Sequence, residues 1–184
     1  MVTLVFGIWL SGTISKHTVP SNNMSAAQVA AANCKLALLT GGPMCKPDAH
    51  VPAPQPAGPY VPQRISMVLN DGELSVLANQ RAQAMGAPVD NIVVHAKGNN
   101  QLEGTANGHV AGQTVGLYFR AQVNSPTSNP NVTVTSIDVP GVPGFISSPL
   151  VSAVGQALDV GAQLNLSQTQ VIVGVGSVTV SGYR

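Results

Sequence analysis

Residues 69–80, LNDGELSVLANQ, write the start of a helix twice over. Asn70 is a good N-cap, and Glu73 three residues on completes a capping-box pair. Leu69 before the cap and Leu74 after it match a hydrophobic staple. The apolar positions Leu74, Leu77, Ala78, Ala82 and Met85 then follow at helical spacing. Gly86 is placed to stop the helix, with Pro88 just beyond. The pattern predicts a helix with one narrow apolar stripe and a polar back of Asn79, Gln80 and Gln83. Such a helix must bury its stripe on another layer, and the rest of the chain says what that layer is.

The layer is a sheet. A short strand, QRISMVL, leads into the helix. Four more strand candidates follow it: VDNIVVHAK, QLEGTANGHV, TVGLYFRAQV and VTVTSIDV. The third alternates cleanly, with Val115, Leu117, Phe119, Ala121 and Val123 facing one way and Gly116, Tyr118, Arg120 and Gln122 the other. Short turns such as GNN predict antiparallel neighbours with one apolar face. A second helix is expected in FISSPLVSAVGQALDVGAQL, capped by Ser148 with Pro149 at its first position. Its stripe is Leu150, Val154, Ala157 and Leu158, widened by Val151. A closing hairpin, QTQVIVGV and SVTVSGYR, completes the order β-α-β-β-β-β-α-β-β. The fold class is therefore α+β: a curved antiparallel sheet packed against two amphipathic helices.

Four segments are expected along the chain. Residues 63–184 form the α+β module, and residues 47–62 a proline-rich linker whose six prolines within 47–63 favour extended polyproline II. Residues 16–46 form a small piece with one Ala-rich helix, SAAQVAAANCKLALL, capped by Ser25. Cys34 and Cys45 flank TGGP turn chemistry there, which gives either a disulfide in an exported chain or two free thiols. Residues 1–15 are apolar from Val2 to Leu10, too short for a bilayer span of about 20 residues. Three readings stay open for this segment. One is a secretion signal or anchor stub, another a core helix. The third is a strand in which Val2, Leu4, Phe6 and Ile8 share a face, and that strand could join the sheet edge of a neighbour.

Chemistry is scarce. Only 8% of residues are charged and net charge is +1, so nucleic acid is a poor partner and no basic membrane patch exists. A surface of Ser, Thr, Asn, Gln and Gly suits an extracytoplasmic or filamentous protein. Asp71 and Glu73 are accounted for by the helix start, where negative charge is favourable. No paired-histidine helix, C-x-x-C or G-x-S-x-G elbow is present. GVGSVT lies between two strands, so it reads as a hairpin turn and not a dinucleotide loop. His95 and His109 have no cysteine or evident carboxylate partner, and no metal or cofactor is expected. What remains is apolar surface, either a closed core or a seam for a hydrophobe.

ISMVLNDGELSVLAN, the VPGVPGF break and the closing VIVGVGSVTVSGYR together resemble the LmeA-like bacterial envelope proteins, related to the tubular lipid-binding superfamily, over about residues 62–184. The resemblance implies an exported or envelope-anchored module, not an enzyme, with a lipid held in a groove between helix and curved sheet. It makes Leu74, Leu77, Met85, Leu117, Phe119, Leu150, Val154 and Leu158 the candidates for that groove. The alternative expectation is a structural subunit of a surface filament, self-associating through the strand Val2, Leu4, Phe6 and Ile8.

Overall fold

The structure, a computed structural model, describes residues 24–40, 62–124, 130–140, 144–159 and 166–183. Its elements run α1 (Ala26–Thr40), β1 (Arg64–Asn70), α2 (Asp71–Ala84), β2 (Val89–Gly98) and β3 (Gln101–Val110). They continue β4 (Gln113–Asn124), β5 (Asn131–Asp138), α3 (Gly144–Leu158), β6 (Ser167–Val173) and β7 (Ser177–Tyr183). From β1 onward this is the expected order, and the fold is α+β. The strands form two antiparallel sheets, β1-β7-β6 and β2-β3-β4-β5. They touch where Lys97 of β2 bridges Val175 in the β6–β7 turn and Gly176 N–H donates to the Ala96 carbonyl at 2.8 Å.

Local chemistry explains the helix that separates them. The Asn70 side chain accepts the Glu73 N–H at 2.9 Å, and the Glu73 carboxylate accepts the Asn70 N–H at 2.9 Å, a complete capping box. At the other end Gly86 adopts φ +61. Its N–H reaches the Gln83 carbonyl and the Ala87 N–H the Ala82 carbonyl, the paired bonds of a Schellman stop. α1 begins with a reciprocal pair of the same kind between Ser25 and Gln28.

The narrow stripe expected for α2 is not what is found. Every residue from Glu73 to Ala78 is buried, because the helix is wedged among α1, α3 and β2. Its polar side chains are used inward. Asp71, Ser75 and Asn79 stand one turn apart and meet alternate residues of β2, the edge strand of its sheet. The Ala96 N–H donates to Asp71 Oδ1 at 3.0 Å and the Val94 N–H to Ser75 Oγ at 2.9 Å. The Ile92 N–H donates to Asn79 Oδ1 at 2.9 Å, and Asn79 Nδ2 donates back to the Ile92 carbonyl at 2.6 Å. The match is metric: four helical residues rise about 6 Å and two strand residues about 6.6 Å. Asn79 therefore does not lie on a polar back. It covers a strand edge that would otherwise pair with another chain.

Two further expectations are corrected. α3 begins at Gly144, not after Ser148, and Pro149 lies inside it. There the proline removes the N–H that would reach back to the carbonyl of residue 145, so the helix forgoes one internal bond just past its first turn. α1 does not stand apart from the module. Ala32 and Leu39 are fully buried, Gln80 Nε2 donates to Asn33 Oδ1, and Lys35 pairs with Glu73, so α1 packs on α2. The linker 47–62 lies outside the described residues apart from its last position.

The core sits between the helices and the inner faces of both sheets. β4 supplies Val115, Leu117, Phe119, Ala121 and Val123, all buried as the alternation predicts. β3 approaches closely over Phe119: a Cβ on Gly104 would collide with the Phe119 ring and with the Val93 carbonyl oxygen. β5 closes the other edge, with Thr135 as the extra residue of a bulge between its pairings at Ser136 and Val134. That bulge disfavours a further strand there.

Candidate functional site

An apolar seam runs between the two sheets at the end where α2 begins and α3 ends. The three-stranded sheet contributes Leu69, Val171, Val178 and Val180. The four-stranded sheet contributes Leu102, Val123, Asn131 and Val132, preceded by Pro130. Leu74 of α2 and Leu158 of α3 close it from the helical side. Asn131 is the one polar lining residue, held by Asn124 Nδ2 donating to its Oδ1 at 2.8 Å. The space amounts to about 50 Å³.

Sequence and fold meet at the staple. Leu69 and Leu74 flank the capping box, so the hydrogen bonds that start α2 also set both leucines against the seam. Behind them Glu73 is 3% exposed, with Lys35 Nζ 2.6 Å from its Oε1. Lys35 also donates to the Val68 carbonyl at 2.8 Å. One lysine thus clamps α1, β1 and α2 together beside the seam.

Of the expected groove residues, Leu74 and Leu158 line the seam. Leu77, Leu117, Phe119, Leu150 and Val154 are buried in the core away from it. Met85 is the C-cap of α2, 41% exposed, and does not line the seam. Sequence reading missed Leu69, Leu102, Val123, Val132, Val171, Val178 and Val180 as lining residues. All seven lie in segments that read as strands, and Val123 alone belongs to the alternation read in β4. Which strand ends would face one another was not legible. Val2, Leu4, Phe6, Ile8 and Cys45 lie outside the described residues, and with them the Cys34–Cys45 pairing. Cys34 itself is half-buried on α1.

The polar groups gather elsewhere, on the open face of the four-stranded sheet and at its turns. His95 Nδ1 lies 3.1 Å from Asp71 Oδ2. His109 Nε2 lies 2.9 Å from Asp90 Oδ2, with Thr114 Oγ1 3.3 Å from its other ring nitrogen. Both histidines thus have the carboxylate partners that the sequence hid, since Asp90 and His109 meet only through β2–β3 pairing. Each is substantially exposed, at 58% and 43% of its side chain. Glu103 accepts from the Tyr118 hydroxyl at 3.0 Å and Arg120 Nε at 3.2 Å, with Lys97 Nζ at 3.6 Å. The Tyr118 hydrogen bond, chiefly, holds its carboxyl below the ordinary value; partial burial opposes this, and the charges of Lys97 and Arg120 assist it. These are cross-strand surface pairs of the kind that stabilise a sheet.

Among the described residues no group of three or more His, Cys, Asp or Glu side chains could hold a metal, and no helix is long and apolar enough to cross a membrane. No family model matches the sequence, and no curated protein or solved structure matches it either.

Proposed function

We propose that this chain is a non-enzymatic, extracytoplasmic binding module of the cell envelope that takes the apolar end of a lipid or other hydrophobe into the seam between its sheets. The observation that carries the reading is the seam's lining, apolar on every side except at Asn131. Ligand sites are concave and mostly apolar, with few polar groups to fix orientation. The polar surface and the scarcity of charge support an extracytoplasmic setting, in which Cys34 and Cys45 would form a disulfide. The size of the seam, about 50 Å³, suits a chain end and not a whole lipid, since ligand pockets run to roughly 300–1,000 Å³.

Native mass spectrometry of the purified chain, before and after organic extraction, tests the reading. A bound apolar species that leaves on extraction is expected. Filling the seam with Val180→Trp should abolish its retention while the circular dichroism spectrum persists. A chain that carries nothing, and takes up no added fatty acid or fatty alcohol, would refute it.

A second reading, a subunit of a surface assembly, draws on a different observation. On the outer face of the three-stranded sheet Thr179 pairs with Val68 on one side and Ile172 on the other. Both neighbours are 52% exposed, and Val175 at the adjoining turn is 84% exposed. Sedimentation that depends on concentration and is lost in Val68→Ser/Ile172→Ser would favour it.

A further inference from the structure

We infer that the hydrophobe suited to the seam is a short-chain, uncharged carbonyl compound (a ketone, ester or lactone) whose carbonyl oxygen accepts from the side-chain amide of Asn131. The inference rests on the proposed binding function and names the ligand class for that same site.

Size sets the apolar part. The seam holds about 50 Å³. One water-sized group needs about 10–15 Å³ of such space, so about four carbon atoms fit. The described walls are aliphatic, with Leu69, Leu74 and Leu102 facing Val132, Val178 and Val180. An alkyl end of that length fills the space, and a longer chain leaves the rest of its apolar surface in water.

Asn131 sets the polar part. It lines the same small space, so a ligand that fills the seam with an alkyl end brings its next group beside this amide. The amide oxygen is already engaged. Asn124 Nδ2 donates to Asn131 Oδ1 at 2.8 Å and to Thr133 Oγ1 at 2.9 Å. Asn124 thus fixes which way round the Asn131 amide stands and leaves Nδ2, a donor, as the group on offer. A donor selects an acceptor. A carbonyl oxygen only accepts, whereas a hydroxyl also brings a hydrogen for which aliphatic walls have no partner.

Charge sets the third limit. No lysine, arginine or histidine is among the described lining residues. Lys35, beside the seam, is already paired with buried Glu73. A carboxylate drawn against these walls would lose water and gain no cation, and a neutral carbonyl loses far less.

Methyl NMR titration of the full-length chain tests the assignment. The probes are butyl methyl ketone, hexanoate and hexane, which have equal carbon counts, and the signals read are Leu69, Val132 and Val180. The ketone should shift all three signals, and hexanoate at neutral pH should bind at least several-fold more weakly. Asn131→Leu should weaken the ketone about tenfold and leave hexane bound as tightly as before or more so. Asn131→Asp keeps the side-chain size but puts an acceptor where Nδ2 stood, and it should weaken the ketone at least as much. Asn131 is exposed at the first position of β5, so neither variant disturbs the core. A ketone affinity equal in the parent and both variants, or hexanoate bound as tightly as the ketone, overturns the inference. Hexane binding without any ketone binding overturns it too, but keeps the hydrophobe-binding reading. Signals that none of the three probes shifts would refute both.

Discussion

The side-chain amide of Asn79 pairs with both backbone groups of Ile92, accepting from its N–H at 2.9 Å and donating to its carbonyl at 2.6 Å. It is the last of three contacts, with Asp71 and Ser75, by which α2 covers the edge of β2. This explains why the two sheets do not merge into one. Along residues 92–96 the edge of β2 is already satisfied by a helix, and pairing with the other sheet resumes only at Lys97.

Removing that amide should cost heavily for one surface-like polar residue. Ile92 is fully buried, so Asn79→Ala would leave a buried donor and acceptor without partners. Each unsatisfied group costs about 1–3 kcal/mol, so urea unfolding should show a loss of about 2–6 kcal/mol. Hydrogen exchange should quicken at Ile92 and Val94 before it does in β4. Ser75→Ala should behave alike at Val94, with about half the loss. A change below 0.5 kcal/mol for Asn79→Ala would mean that the edge is not held in this way.

The clamp at Lys35 makes a separate prediction about α1. Glu73 is buried, and Lys35 is its only cationic partner among the described residues. Lys35→Met keeps the stem but strands the carboxylate, and breaking a buried pair costs about 3–5 kcal/mol. The loss here should fall at or below the lower figure, because Lys35 is itself 32% exposed and the Asn70 N–H still donates to Glu73. The double variant Lys35→Met/Glu73→Gln should recover part of the stability. Limited proteolysis should cut near α1 in the single variant and spare it in the double. Equal stability of single variant and parent would show that α1 docks without the clamp.

These two sites show what a linear sequence can reveal. The capping box at Asn70 and Glu73, the Gly86 stop and the β4 alternation depend on residues a few positions apart, and all were legible. Asn79 was not, because a polar residue on a helix looks the same whether it faces water or a strand edge. Its partner lies 13 positions on and is a backbone group with no side-chain signature. Pro149 misled for a related reason: proline is commonest at the first position of a helix, and nothing local to it shows that this helix already runs from Gly144. The seam was the least legible feature. Leu69, Val132, Leu158 and Val180 meet there from four elements, and nothing distinguishes them in sequence from the neighbouring core residues Leu117 and Phe119.

The β3–β4 turn carries a correctable strain. Ala111 and Gly112 take φ +49 and φ +77, the left-handed pair of a two-residue hairpin turn. Alanine at the first of these positions bears a Cβ that glycine or asparagine tolerates better. Ala111→Asn should raise stability by about 0.5–1 kcal/mol, read as an increase of a few degrees in Tm with no change in the urea m-value. A fall in Tm would mean that the turn conformation differs from this one.

Acid should weaken the sheet through Glu103. Its carboxyl is held below the ordinary value of 4.5, first by the Tyr118 hydroxyl, with Lys97 and Arg120 adding their charges. The folded state therefore favours the ionised form more than the unfolded state does. The resulting stability is present above the ordinary value and is lost as pH falls through the lower folded value. Glu103→Gln should thus lower Tm relative to the parent at neutral pH, and the gap should close in acid. Tyr118→Phe should remove the larger part of the effect. High salt should trim only the part due to Lys97 and Arg120, because screening acts on the exposed charges and leaves the hydroxyl bond in place. A gap between parent and Glu103→Gln that stays constant from neutral pH to pH 3 would show that ionisation of this carboxyl does not hold the two strands together.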